Sequence, residues 1–290
     1  MNHDAFSKCH PLVNFLFFVG AIGAGVMIQH PVFLLVGVLT GVVYYLLLNR
    51  AKGLKMVLLL IPLFLFLTAI NPLFNTYGET MLLELFGRPY TLEALYHGAA
   101  VAAIFVVMLL WFGCYNKVLT SDKFTSLFGS VIPSISLLLV MVFRMVPNLL
   151  RKATQFSGAR KSLGKGTGTS AKEKLREGMT LLGALTSWSL EGGIVTGDSM
   201  RARGYGATKR TSFMIYRMTG LDWILLAVIL LLVAMTVLAG CLGQMAAAYT
   251  PAYTAAPLSW GIVPYTIYLL IPTVLHIKET IQWHISRSKI

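Results

Sequence analysis

The chain has 290 residues, of which 56% are apolar and 12% charged, with a net charge of +13. Soluble domains carry about 25% charged residues, so this composition excludes an ordinary soluble globular protein. Nor does the basic excess point to nucleic acid: residues 116–217 hold 16 basic and 5 acidic residues, so +11 of the +13 lies in one connecting segment.

Taken in chain order, six runs free of Asp, Glu, Lys and Arg approach spanning length: Leu12–Ile28, Val32–Leu48, Leu54–Ile70, Gly98–Tyr115, Trp223–Leu242 and Gly261–Ile277. A spanning helix needs about 20 residues, with about 17 as the lower limit. The expected fold class is therefore all-α: a polytopic membrane protein of about six transmembrane helices with long cytoplasmic helices. The first run passes through His30-Pro31 into the second, and no Ala-x-Ala-like site follows it, so it is expected to be a retained helix and not a cleaved signal. In the second run, Gly37 and Gly41 form a Gly-x-x-x-Gly pair that would let another helix approach closely. Tyr44, Tyr45, Trp111, Tyr115, Trp223 and Trp260 fall near span ends and are expected in interfacial belts.

Basic loops lie on the inner side of a membrane. Arg50, Lys52 and Lys55 put the second link inside. Glu79, Glu84 and Glu93 fit an outer loop at 72–97, and the basic segment 116–217 returns inside. Both termini are then cytoplasmic. The expected sections are 1–116, N-terminal transmembrane helices; 117–217, a cytoplasmic region; and 218–290, C-terminal transmembrane helices.

The cytoplasmic region is too long for a plain loop. Ser121-Asp122 has the chemistry of a helix start. A helix is expected from about Ser134 to Ser162, with an apolar first half, Pro147 inside it, and a basic second half. Gly164, Gly166 and Gly168 stop it. A second helix is expected from about Lys172 to Arg203, closed by Gly204. Its middle, Met179–Val195, is mostly apolar, with Trp188 and a lone Glu191. Each helix thus ends in a basic tip in which Ala precedes Arg: Ala159-Arg160-Lys161 and Ala202-Arg203-Gly204. Arginine offers a planar fork of donors suited to carboxylates or carbonyls. A cation at a helix C-terminus is also favourable without a partner, by about 0.3–1 kcal/mol. Anionic lipid at the inner leaflet attracts such residues by roughly 1 kcal/mol each.

The pieces Asn71-Pro-Leu-Phe-Asn75, Thr91-Leu-Glu93, Ser121-Asp-Lys-Phe124, Leu127-Phe-Gly129, Pro133-Ser-Ile-Ser-Leu137, Phe143-Arg-Met-Val-Pro147 and Ser199-Met-Arg-Ala-Arg-Gly-Tyr-Gly206 carry a likeness. Through them the chain resembles the transmembrane T component of energy-coupling factor (ECF) transporters, relatives of the membrane subunit of cobalt and nickel uptake systems. The resemblance implies a bacterial cell-membrane module: one T component, two ATP-binding-cassette (ABC-type) ATPase subunits and a substrate-binding S component for vitamin or metal-ion uptake. It implies that Ala159, Arg160 and Lys161, and Ala202, Arg203 and Gly204, dock in a groove of one ATPase each. Lys161 departs from the small residue usual at the third position.

No Gly-x-x-x-x-Gly-Lys-[Ser/Thr] occurs, since Gly164-Lys165 is followed by Gly166. No catalytic residue, metal site or cofactor is expected in the chain itself; ATP would be hydrolysed by the partners. Cys9, Cys114 and Cys241 are too few and too scattered for a disulfide framework. Two other classes stay open. One is an inner-leaflet membrane enzyme in which Glu191 and Asp198, seven apart on one helix face, act beside the basic tips. The other is a lipid-binding scaffold.

Overall fold

The computed structural model describes residues 5–75, 80–85, 88–131, 133–164, 170–207, 216–249, 254, 255, 257 and 260–287. The elements are α1 (Ala5–Lys8), α2 (Pro11–Met27), α3 (Pro31–Asn49), α4 (Ala51–Phe74), β1 (Met81–Leu85), β2 (Arg88–Thr91), α5 (Leu92–Val118), α6 (Ser121–Val131), α7 (Pro133–Ser162), α8 (Ala171–Ala202), α9 (Gly220–Cys241), β3 (Ala247–Ala248), β4 (Thr254–Ala255) and α10 (Ile262–Arg287). They form two compact units. The first joins Met1–Phe124 to Tyr216–Ile290, and the second is Thr125–Ile215. The sections drawn from the sequence divide the chain at 116/117 and 217/218.

In the first unit, α5 packs against α2, α3 and α4, while α10 packs against α3 and α9. Four helical segments among the described residues are long and apolar enough to cross a membrane: Pro31–Asn49, Lys52–Phe74, Leu92–Val118 and Gly220–Cys241. Two of the six expected runs fall outside that group. The first becomes α2, apolar but only 17 residues long. The last lies in α10, which contains Pro272 and ends in the polar stretch from Lys278. Many large apolar side chains of these helices point outward, Leu59, Leu65, Leu231 and Leu238 among them, each at least 58% exposed. Water would penalise such a surface heavily, and hydrocarbon would not.

The interior is aromatic. Phe17, Phe18, Phe33, Tyr44, Trp111, Tyr265 and Tyr268 are essentially fully buried. Tyr44 stacks on Trp111 with ring centroids 6.2 Å apart, and Phe17 meets Tyr268 at 4.9 Å. This corrects the expected interfacial belt. Tyr44 and Trp111 are core residues, whereas Trp223 and Trp260 are exposed. Buried rings with polar tips need partners. The Tyr268 hydroxyl donates to the Phe17 carbonyl at 2.5 Å, and the Trp111 indole Nε1 donates to the Gly37 carbonyl at 3.4 Å. That last bond is possible because Gly37 and Gly41 do let neighbours in. A Cβ on Gly37 would lie 3.1 Å from the Tyr265 hydroxyl, and one on Gly41 would lie 3.3 Å from Leu110 and Trp111.

Two features were not anticipated. The stretch expected as a plain outer loop contains the antiparallel hairpin β1–β2, with Glu84 opposite Pro89 and Leu85 opposite Arg88. It is tied to the bundle by the Tyr90 hydroxyl donating to the Ala69 carbonyl at 3.2 Å. The Thr80 hydroxyl also donates to the Glu93 carboxylate at 2.6 Å. The link between α3 and α4 is one residue, Arg50, at φ 51° and ψ −135°. It is the one non-glycine residue with positive φ among those described.

Candidate functional site

The second unit carries every site residue singled out in the sequence. Proline at the start of α7 has its φ pre-set for a helix and lacks an N–H that would go unpaired there. Helix α6 starts at Ser121 with Asp122 in its first turn, and the Thr120 carbonyl accepts the first helical bond from the Phe124 N–H at 3.0 Å. The cap therefore sits one residue before the expected Ser121. Helices α7 and α8 have 30 and 32 residues and pack against each other. The expected limits, Ser134–Ser162 and Lys172–Arg203, agree with them to one residue. Of the glycine stop, Gly164 is described, at φ 70°, while 165–169 lie outside the described residues.

The two helices run antiparallel. Lys152 sits over the Trp188 ring at 5.6 Å, and further along Arg160 shares a cleft with Lys174, Glu177 and Leu181. The first tip therefore lies beside the start of α8 and the second at its end. From Glu177 to Arg203 at about 1.5 Å per residue, the tips are about 40 Å apart. No single small site can engage both.

Each tip ends on a left-handed glycine, Gly164 at φ 70° and Gly204 at φ 75°. At the second, the Tyr205 N–H donates to the Met200 carbonyl at 3.1 Å and the Gly204 N–H to the Arg201 carbonyl at 3.0 Å. Those two bonds make a Schellman cap, which satisfies carbonyls that a helix end leaves unpaired. At the first, the Gly164 N–H donates to the Lys161 carbonyl at 3.0 Å, the matching inner bond. Aligning the caps shows a difference the sequence concealed. Arg203 occupies the residue just before its glycine; Arg160 stands three residues further back, about 4.5 Å deeper along its helix.

Ala159, Lys161, Ala202, Arg203 and Gly204 are exposed, and Arg160 is half-buried along the cleft. Among the described residues, no carboxylate comes within ion-pair reach of Arg160 or Arg203. With no ion-pair partner among the described residues, these two arginines at helix ends are available to outside acceptors. The rest of α8 is equally open. None of its residues is buried, and Met179, Leu182, Leu190, Ile194 and Val195 are all strongly exposed. On α7, Leu138, Val140, Val142 and Phe143 are exposed as well.

Glu191 and Asp198 are exposed on α8, about 10 Å apart along its axis, and do not line the cleft beside Arg160. Among the described residues no cluster of three His, Cys, Asp or Glu could hold a metal ion. The cysteines are free. In the first unit a cavity of about 690 Å³ lies among α3, α4 and α5, lined by apolar groups such as Leu34, Val38, Leu60, Phe64 and Val106, and also by Tyr249. No family model matches the chain, and no curated protein matches it.

Proposed function

We propose that this chain is the transmembrane coupling subunit of an ECF-type ABC importer in a bacterial cell membrane. In this reading two ABC-type ATPases hold the tips at Arg160 and Arg203, and an S component binds the vitamin or metal ion. The likeness of the motif pieces to the T component suggests it. The observation that carries it is the arm itself: α8 runs 32 residues with none buried and ends in a capped, exposed arginine tip. A helix of that length ordinarily hides an apolar stripe against its own domain. One that leaves the stripe open is suited to partners, with lipid or the S component against its apolar middle. The tip spacing of about 40 Å suits two ATPases better than one.

The mechanism follows from stiffness. ATP binding draws the two ATPases together. The tips move with them, and capped helices of 30 and 32 residues carry the displacement to the S component. The topology that goes with this reading has six crossings, α2 and α10 included, with both termini cytoplasmic.

The test is co-expression with the two ATPases and an S component. The intact chain is expected to co-purify with both ATPases. An Arg160→Ala and Arg203→Ala double variant should insert normally yet lose ATPase association and substrate uptake. Full uptake by the double variant would refute the docking.

A further inference from the structure

The second unit is joined to the first at two points, 124/125 and 215/216. Both chain ends on the first unit's side are held by the same short stretch, residues 6–10. At the entry, Lys123 is buried. Its ammonium donates to the Ser7 carbonyl, to the Ser7 hydroxyl at 3.0 Å and to the Val118 carbonyl at 3.1 Å. Three donors meet three oxygens, which is what makes a buried ammonium tolerable. Val118 is the last residue of α5, so the cation also faces the negative end of that helix.

At the exit, the His10 ring meets the Tyr216 ring edge-on, centroids 6.4 Å apart. The buried Asp222 carboxylate accepts from the His10 N–H at 3.0 Å. Its other oxygen accepts from the Thr219 N–H at 2.9 Å and hydroxyl at 2.8 Å, closing a capping box at the start of α9. The stretch itself is anchored twice more. Phe6 is fully buried with its ring 5.1 Å from Phe17 and 6.0 Å from Phe18, and Lys8 pairs with Glu279 of α10.

We infer that residues 6–10 form a clasp that binds both roots of the second unit, Lys123 on entry and Tyr216 to Asp222 on exit, into one base continuous with α5, α9 and α10. Lys123 and Asp222 are positioning residues. Their task is to make the two roots move together, so that displacement of the second unit is passed to the first instead of being lost in two independent hinges. This last consequence rests on the proposed coupling function; the clasp itself does not.

Backbone hydrogen exchange on the full-length purified chain tests the clasp without any partner. Lys123→Met should speed exchange at 119–124 and also at 216–222, at least tenfold, although the hydrogen bonds described for this side chain run to Ser7 and Val118. Tyr216→Ala should do the reverse, loosening 119–124 from the exit side. Lys123→Arg, which keeps donors and charge, should restore both regions. If each variant loosens only its own neighbourhood, the clasp is refuted. Should Lys123→Met fail to fold, Tyr216→Ala still decides the matter, because its ring contact is only half-buried. With both ATPases and an S component assembled, Lys123→Met should move fewer substrate molecules per ATP while binding the ATPases normally. Failure of the intact chain to bind ATPases would sink the coupling function and leave the exchange result standing.

Discussion

The contact between α4 and α5 hinges on Gly98. A Cβ built there would lie 2.8 Å from the Thr68 carbonyl oxygen and 2.8 Å from the Asn71 Cβ. The first of these is backbone and cannot swing aside. Ordinary contacts begin near 3.4 Å, so Gly98→Ala must part the helices by roughly 0.6 Å along that line. Overpacking of this kind costs about 1–3 kcal/mol, less about 0.5–1 kcal/mol that alanine returns as the better helix former. Gly23, in the middle of α2, is the matched control, since nothing lies within 4 Å of its would-be Cβ. Gly23→Ala should therefore stabilise by about 0.5–1 kcal/mol. Gly37→Ala falls between, its nearest neighbours being the Tyr265 hydroxyl at 3.1 Å and the Val107 methyl groups at 3.3 and 3.5 Å, looser than the contacts at Gly98. Thermal or SDS-induced unfolding of the detergent-solubilised chain reads all three. The expected order of stability is Gly23→Ala, wild type, Gly37→Ala, Gly98→Ala. A Gly98→Ala variant as stable as Gly23→Ala would refute the packing deduced for α4 on α5.

Two further substitutions probe the backbone directly. Arg50 holds φ 51° and ψ −135°, a region that costs a side-chain-bearing residue about 1–3 kcal/mol and glycine nothing, so Arg50→Gly should raise the unfolding midpoint. A lowered midpoint would mean the arginine side chain contributes more than its backbone costs. Gly204→Ala sets a Cβ at φ 75° and should cost about 1 kcal/mol confined to the end of α8. Hydrogen exchange should quicken at 200–205 while the global midpoint holds, and a global loss would show that the tip is not an independent end.

The long helices of the second unit were legible because their ends are written in local chemistry. Gly164 and Gly204 mark stops whatever surrounds them. The charge map likewise located the basic segment, because composition is additive along a chain. What escaped depends on distant partners. Tyr44 and Trp111 have the residue types of an interfacial belt, and only the approach of α2, α5 and α10 decides that they are core. Whether the three oxygens around Lys123 exist depends on residue 7 returning across the fold, and nothing near position 123 announces it. Asp222 was within reach: Thr219-x-x-Asp222 ahead of an apolar run is a capping-box signature. The tips were found, but their difference in depth was not. Two Ala-Arg pairs look alike until each is measured from its own glycine.

That offset has a consequence for any partner built of two identical halves. If each half offers the same socket, the chain fills the two to unequal depths, with one arginine at the very end of its helix and the other about a turn behind. The partner's symmetry is then broken on assembly. Its halves become distinguishable, and one engages before the other as they approach. An order of events could arise in this way from a single polypeptide whose ends are cut to different lengths.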